Sequence, residues 1–239
     1  MPNSFFAFKQ FTVHQEKCAM KVCTDACLFG AIMANYLEKQ NVNSLADIGT
    51  GTGLLSLMVA QKNKCLIDAY EIDENAALQA EQNFNRSPWH GKLRIIKGNI
   101  KTLHINTNYD WIICNPPFYE NSLRSNNQHK NIAMHSQELL LEDVLHICDE
   151  CLNGQGKFAI LLPYFRSTAF IGMAHQKKFF LEYKLDIKPS PKHHFFRTIC
   201  IFSKQPTPLL TDDTLTIREV NNNYTTYFTE LLKDYYLFL

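Results

Sequence analysis

A chain of 239 residues, 46% of them hydrophobic, is long enough for one large α/β domain, alone or with a small appendage. Its formal net charge of +1 excludes a whole-molecule field that would by itself select nucleic acid, so such a partner must be argued from local patches. No apolar run reaches the roughly 18 residues of a membrane span, and "MPNSFFAFKQF" lacks the regions of a secretion signal, so a cytoplasmic protein with no membrane partner is expected.

Residues 1–40 form an N-terminal segment with spaced aromatics (Phe5, Phe6, Phe8, Phe11) and a predicted helix over Thr24–Glu38, capped by Thr24 or Asp25. A domain over 41–239 follows. In it "SLADIG" reads as a strand, "LLSLMVAQK" as a helix, "CLIDAYEI" as a strand, and "ENAALQAEQNFNR" as a helix with Asp73 as N-cap. "LRIIKGN" and "YDWIICN" are further strands. After a polar loop the pattern gives a helix "LLLEDVLHICDECL", a strand "GKFAILLP" and a helix near residues 165–176. Strands "FFLEYKLDI" and "RTICIFS" follow, and a helix "NNYTTYFTELLKDYYLF" closes the chain.

Alternating strands and helices at this spacing imply right-handed crossovers and a mostly parallel, Rossmann-like sheet with helices on both faces. Ligands of such α/β folds bind beyond the carboxyl ends of the strands. Those ends carry Gly49 to Gly53, Glu71, Asn99 and Asn115 to Phe118. The eight cysteines lack a second pair at zinc spacing beside Cys148 and Cys151, so reduced, mostly buried thiols and no metal are expected.

"DIGTGTG" (Asp47 to Gly53) is a strand-to-helix turn whose glycines Gly49, Gly51 and Gly53 let a ligand approach the backbone closely. Glu71 stands 18 residues after Gly53, where an acid holds ribose hydroxyls in nucleotide-binding folds. The spacing departs from G-x-G-x-x-G, and no phosphate-binding lysine follows. A carboxylate-bearing cofactor such as S-adenosyl-L-methionine fits, with its amino-acid part near Asp47 and the helix start.

In "NPPF" the strand stops on two prolines. The lone pair of a nucleobase amine is delocalised into the ring, so methylating it needs two acceptors that draw on both N–H bonds. The Asn115 side-chain carbonyl and the Pro116 backbone carbonyl supply them, and the prolines fix their direction. Phe118 offers a stacking face for a planar base. Asn115, Pro116 and Phe118 are therefore the candidate catalytic residues, Asn115 also bordering the cofactor.

"DIGTGTG" and "NPPF" resemble the cofactor and [DN]-P-P-[YFW] motifs of amino-methyltransferases. "FTVHQEKCAMKVCTDACLFGA", "SPWHGKLRI" and the terminal "YYLFL" extend the likeness over nearly the whole chain to the bacterial tRNA-Val (adenine-N6)-methyltransferase family. The resemblance implies a class I methyltransferase fold with a seven-stranded sheet whose last strand is antiparallel. It implies methylation of adenine 37 beside the anticodon of tRNA-Val, and a cofactor held against Asp47, Gly49, Glu71 and Asn99. It also implies that Lys21, Thr24 and Asp25 belong to a stretch covering the cofactor. Three positions depart from the family pattern: Cys23 replaces glycine, Asn99 an aspartate and Phe118 the commoner tyrosine. The corner alone also suits a glutamine methyltransferase acting on release factors or a guanine-N2 enzyme, and a non-catalytic RNA-binding module is the alternative from another class.

Two basic stretches are expected to touch the RNA anticodon loop: Arg124, Lys130 and His135 in the loop Tyr119–Gln137, and Lys188, Lys192 and Arg197 in "KLDIKPSPKHHFFR". A monomer is the expected state.

Overall fold

A computed structural model describes residues 3–117, 139–206 and 211–239. Its centre is an eight-stranded sheet. In chain order the strands are β3 (Ser44–Ile48), β4 (Leu66–Glu71), β5 (Leu93–Lys97), β6 (Tyr109–Cys114), β7 (Leu152–Pro163), β8 (Phe180–Lys188), β9 (Arg197–Ser203) and β10 (Thr211–Thr216). Their spatial order is β10-β8-β9-β7-β6-β3-β4-β5, with β9 antiparallel to β7 and β8 and every other pair parallel. The Rossmann-like fold class holds. The sheet gains an eighth strand because "TDDTLT" adds to the edge of β8, where only Leu215 is buried. Such a polar edge strand carries no alternating apolar signal.

Both faces are covered. Along β3, β6 and β7, Leu45, Trp111, Ile113, Ala159 and Leu161 point into one cluster, and Ala46, Ile48, Ile112, Cys114, Phe158 and Ile160 into the other. This period-2 division is what makes each strand read as a continuous apolar run. Helices α1 (Thr24–Glu38), α2 (Leu54–Lys62) and α3 (Glu74–Asn85) feed the first cluster, and α4 (Leu141–Cys151) and α5 (Tyr164–Gln176) the second.

Helix α1 starts as predicted, but its N-cap is the extended Cys23, since the Asp25 carboxylate is taken by Arg197. Asp73 caps α3 as expected, accepting from the Ala76 amide at 2.8 Å. The closing helix, α6 (Thr226–Leu232), is shorter than predicted. Asn222 sits at φ +68° in a turn, and Thr225 caps the helix by accepting from the Phe228 amide.

The N-terminal segment adds two short antiparallel strands, β1 (Phe5–Ala7) and β2 (Thr12–His14). Phe8 bridges Tyr236 and stacks on Phe11 at 4.5 Å, and Phe11 meets Trp89 edge-on at 5.7 Å. The Lys9 amide donates to the Tyr235 carbonyl, and the Tyr235 hydroxyl to the Met58 carbonyl. The three segments that carry the family likeness thus pack into one aromatic junction, and Phe8, Phe11 and Val13 share the core with α1 and α2.

The eight cysteines are free thiols and seven are buried. Among the described residues no three His, Cys, Asp or Glu side chains are grouped to hold a metal ion, and no helix is long and apolar enough to cross a membrane.

Candidate active site

The strand register brings the predicted residues to one edge. Ile48 pairs with Tyr70 on one side and Cys114 on the other, and Glu71 pairs with Lys97. The glycine turn, Glu71, Gly98-Asn99 and Asn115 therefore all leave the sheet at its carboxyl end. Strand β3 has its chain successors β4 and β5 on one side and β6 and β7 on the other, so the turn and the corner flank the switch point where α/β sheets open a crevice. A concavity of about 450 Å3 lined by Asp110, Trp111, Asn153 and Lys157 lies instead at the amino end of β6, away from these groups.

Gly49, Gly51 and Gly53 adopt φ of +68°, +57° and +82°, values that a side chain would strain. The amides of Gly49 and Thr50 both donate to the Tyr70 carbonyl, hanging the turn on β4. The glycines divide by surroundings. Among the described residues a Cβ on Gly49 or Gly51 would meet nothing within 4 Å, whereas one on Gly53 would lie 2.4 Å from Phe84 Cε1. The first two leave room for a ligand; the third lets α3 pack against the turn. Gly53→Ala is expected to cost about 2 kcal/mol or more of stability from overpacking and backbone strain. Gly51→Ala should cost less stability and lose more cofactor affinity. Urea melts and calorimetric titration of both variants check this division.

Asp47 is fully buried. Its Oδ2 accepts from the hydroxyls of Thr50 and Ser56, each at 2.7 Å, while Oδ1 has no partner among the described residues. Burial pushes this carboxyl up from 3.8 to about 6 against those two hydroxyl donors. A buried carboxylate with one unpartnered oxygen beside a glycine cradle suits a cationic ligand group.

Glu71, also buried, is held at both oxygens. Oε2 accepts from the Gly51 amide at 2.8 Å and Oε1 from the Asp73 amide at 2.9 Å. Each carboxylate oxygen keeps a second lone-pair direction for a ribose hydroxyl. Asn99 follows Gly98, whose amide donates to the Glu71 carbonyl, and Asn99 Oδ1 accepts from the Lys101 amide at 3.1 Å.

Pro116 is buried, and Asn115 and Pro117 are half-buried. Phe118, the loop 119–137 and its Arg124, Lys130 and His135 lie outside the described residues.

Lys21 and Thr24 are not brought to the glycine turn by a direct bond. The Lys21 ammonium donates to the carbonyls of Gln15 and, at 3.0 Å, Cys18, pinning the N-terminal segment on itself. Thr24 lines a pocket of about 390 Å3 with Asp25, Phe196, Arg218 and Tyr224. Arg197 Nε donates to Asp25 Oδ2 at 2.7 Å, so this cation is already partnered. Lys188 Nζ lies over the Phe195 ring at 5.4 Å, and Lys192 is exposed in the turn before β9. Within the same basic stretch Lys184 is committed to Asp186 and Asp212.

One residue central to the arrangement has no sequence motif. Asn83 on α3 is buried; its Oδ1 accepts from the His14 amide, and its Nδ2 donates to the carbonyls of His14 (2.8 Å) and Thr52 (2.9 Å). It ties the N-terminal segment to the glycine turn, and the Lys17 amide adds a bond to Gln79 one helical turn away. Asn83→Ala leaves three backbone groups without these bonds and should cost about 1 to 2 kcal/mol of stability. Cofactor affinity should fall about threefold, checked by melts and calorimetry.

The model of the methyltransferase small domain family matches residues 28–159, more than half of the chain. A Trichodesmium erythraeum protein named tRNA1(Val) (adenine(37)-N6)-methyltransferase is 38% identical over 242 residues, covering 99% of each chain. Proteins of the same name from Dyadobacter fermentans and Pseudoalteromonas translucida are 38% and 37% identical over 98% of this chain. Among solved structures, a predicted O-methyltransferase of Agrobacterium tumefaciens superposes with a TM-score of 0.69 at 17% identity, covering 88% of this chain and 96% of that one. A Pyrococcus furiosus methyltransferase does so with a TM-score of 0.52 at 21% identity, covering 73% and 82%. The structural likeness shows the class I methyltransferase fold, and the full-length sequence identity shows that the chain belongs to the bacterial tRNA1(Val) (adenine(37)-N6)-methyltransferase family.

Proposed function

We propose that the protein methylates the exocyclic N6 amine of adenine 37 in the anticodon loop of tRNA-Val, using S-adenosyl-L-methionine. The observation that carries this is the register of the Asn115-Pro116 corner beside the glycine turn of β3, in a chain that matches such enzymes over 99% of its length.

The residues at the strand ends fit the cofactor. Among the described residues Gly49 and Gly51 leave the cradle clear, and the unpartnered Oδ1 of Asp47 suits its cationic amino-acid end. Glu71 would hold the ribose hydroxyls, and Asn99 would accept from the adenine amine. Gly53 and Asn83 shape the turn from behind. The N-terminal segment 1–40, with Lys21 and Thr24, would cover this site through the Asn83 tether. When bound, S-adenosyl-L-methionine supplies an electrophilic methyl group on a sulfonium.

The side-chain carbonyl of Asn115 and the backbone carbonyl of Pro116 would accept the two N–H bonds of the target amine. This turns the nitrogen lone pair out of conjugation and aims it at the methyl. Asn115 is neutral, so it orients without acting as a base, and the proton leaves after transfer. Phe118 would stack on the adenine, which must be splayed from its loop to reach the corner. Arg124, Lys130, His135, Lys188, Lys192 and Arg197 would contact the RNA, Arg197 through a guanidinium already anchored on Asp25. A monomer acting in the cytoplasm suits this substrate.

The test is incubation with labelled S-adenosyl-L-methionine and total tRNA, followed by nucleoside analysis. Label in N6-methyladenosine is the expected result. Label in protein would point to a glutamine side chain as substrate, and label in neither to a module that binds RNA without chemistry.

A further inference from the structure

We infer that the sheet edge running outward from Asn115, over the ends of β7, β9, β8 and β10, is a track for the single-stranded nucleotides that flank the target adenine. The inference rests on the RNA reading above and adds to it a direction and four residues: Phe165, Arg166, Arg218 and Tyr224.

Because β9 is antiparallel, its first residue meets the last residues of its neighbours: Arg197 pairs with Pro163 of β7 and Ile187 of β8. The end of β10 joins them through the Ile217 amide, which donates to the Lys188 carbonyl, and the Arg218 amide, which donates to that of Pro189. The Tyr164 amide likewise donates to the Phe196 carbonyl. Three strand exits and the entry of β9 are thus bonded into one rigid rim. From β6 to β10 there are four strand intervals, a span of about 19 Å at roughly 4.8 Å each.

Each step of the rim carries an aromatic ring with a cation over it. At the exit of β7, Arg166 lies 5.6 Å from the Phe165 ring. Beside it the Tyr164 ring is 5.3 Å from that of Phe195, which Lys188 covers at 5.4 Å. Arg197 lies 5.4 Å from Phe196. At the outer end Tyr224 is stacked on the buried Phe228 at 4.4 Å and holds Arg218 at 4.1 Å, so it positions this cation rather than receiving a base. Between Phe196 and the Arg218–Tyr224 pair opens the pocket of about 390 Å3. Phe165 is 67% exposed, an unusual setting for a phenyl ring beside a site.

Among the described residues of this rim, Asp25 offsets Arg197, Asp186 offsets Lys184, and Glu219 is exposed next to Arg218, so the surplus positive charge rests on Arg166, Lys188 and Lys192. Rings alternating with cations bind unpaired bases by stacking and the intervening phosphates by charge. A duplex would hide the base faces that these rings need. Bases therefore stack on Phe165 and Phe195, phosphates sit at Arg166 and Lys188, and the pocket beside Arg218 takes a further base.

The test measures binding of an anticodon stem-loop RNA by fluorescence anisotropy for Phe165→Ala, Arg166→Gln, Arg218→Gln and, from the opposite end of the sheet, the exposed Lys39→Gln. Calorimetric cofactor titration of each variant monitors the fold. The three track variants should each bind RNA about tenfold more weakly, the loss falling on KM rather than kcat. Arg166→Gln and Arg218→Gln should each reduce the slope of log affinity against log salt by about one. Lys39→Gln should match wild type. If Phe165→Ala and Arg218→Gln bind like Lys39→Gln while the wild type still methylates tRNA, the track is wrong and the enzymatic reading stands. A fully paired duplex bound as tightly as the stem-loop would also overturn the track. Label in protein rather than RNA would overturn both.

Discussion

Asn115→Ala is expected to lower kcat for methyl transfer by about 10²- to 10³-fold, while cofactor affinity stays within about threefold of wild type. The large kinetic loss follows from what the amide contributes. A preorganised hydrogen-bonding group that acts on the reacting centre is worth about 2.7 to 4 kcal/mol in the transition state. In the proposed mechanism the Asn115 carbonyl would meet the amine only in the ternary arrangement, so its removal should leave the glycine turn, Asp47 and Glu71 as they are. Asn115→Asp is the sharper comparison. It keeps an acceptor in place but adds a charge, and it should retain more activity than alanine. Single-turnover rates with tRNA at saturating cofactor check both variants. Alanine at the wild-type rate would remove the amine clamp from the mechanism.

The sheet and the positions of its ligand-facing ends were legible because each relied on a strong local signal. Strands β3, β4, β6 and β7 are buried on both faces and so read as apolar runs bounded by glycine, acid or proline. The switch-point geometry then follows from chain order. What the sequence concealed are contacts between segments distant in the chain. Strands β1 and β2 have three residues each, too few for alternation to register, and they exist because Phe8 and Phe11 pack on Tyr236 and Trp89. Asn83 and Gln79 lie on a helix where amides ordinarily read as a solvated face, yet they are buried as tethers of the N-terminal segment. The basic stretch before β9 looked uniformly available for phosphate. Folding withdraws Lys184 into an ion pair, anchors Arg197 on Asp25, and adds Arg218 from a remote part of the chain. Charge counts along a sequence cannot distinguish these fates, because partnering is set by which strand lies alongside.

Asp47 offers a test of the cofactor cradle that does not depend on turnover. The carboxyl stands at about 6 in the fold against 3.8 ordinarily, so the folded chain holds its proton more tightly than the unfolded one. For a group raised in this way, the stabilising preference is complete below about pH 4 and lost as pH rises through about 6. In the unliganded protein Asp47 should therefore contribute on the order of 1 kcal/mol at pH 5 and almost nothing at pH 7.5. Asp47→Asn should lack that contribution, visible as a change with pH in the stability difference between the two proteins. Ligand binding should run the other way. A cationic cofactor group favours the ionised carboxylate, so wild-type affinity should strengthen about tenfold between pH 5 and pH 7.5. The Asn variant keeps an oxygen for the Thr50 and Ser56 hydroxyls but not the charge. It should bind at least about 30-fold more weakly at pH 7.5, the loss that follows when one member of a buried charge pair is removed. Its affinity should also be nearly flat with pH. Calorimetric titrations with S-adenosyl-L-methionine across this range, beside urea melts of the same samples, measure both sides of the linkage. The two opposed slopes are the signature: a site where, below about pH 6, burial holds the proton on until a cation displaces it. Wild-type affinity independent of pH, or the same slope in Asp47→Asn, would place the cofactor's cationic end elsewhere.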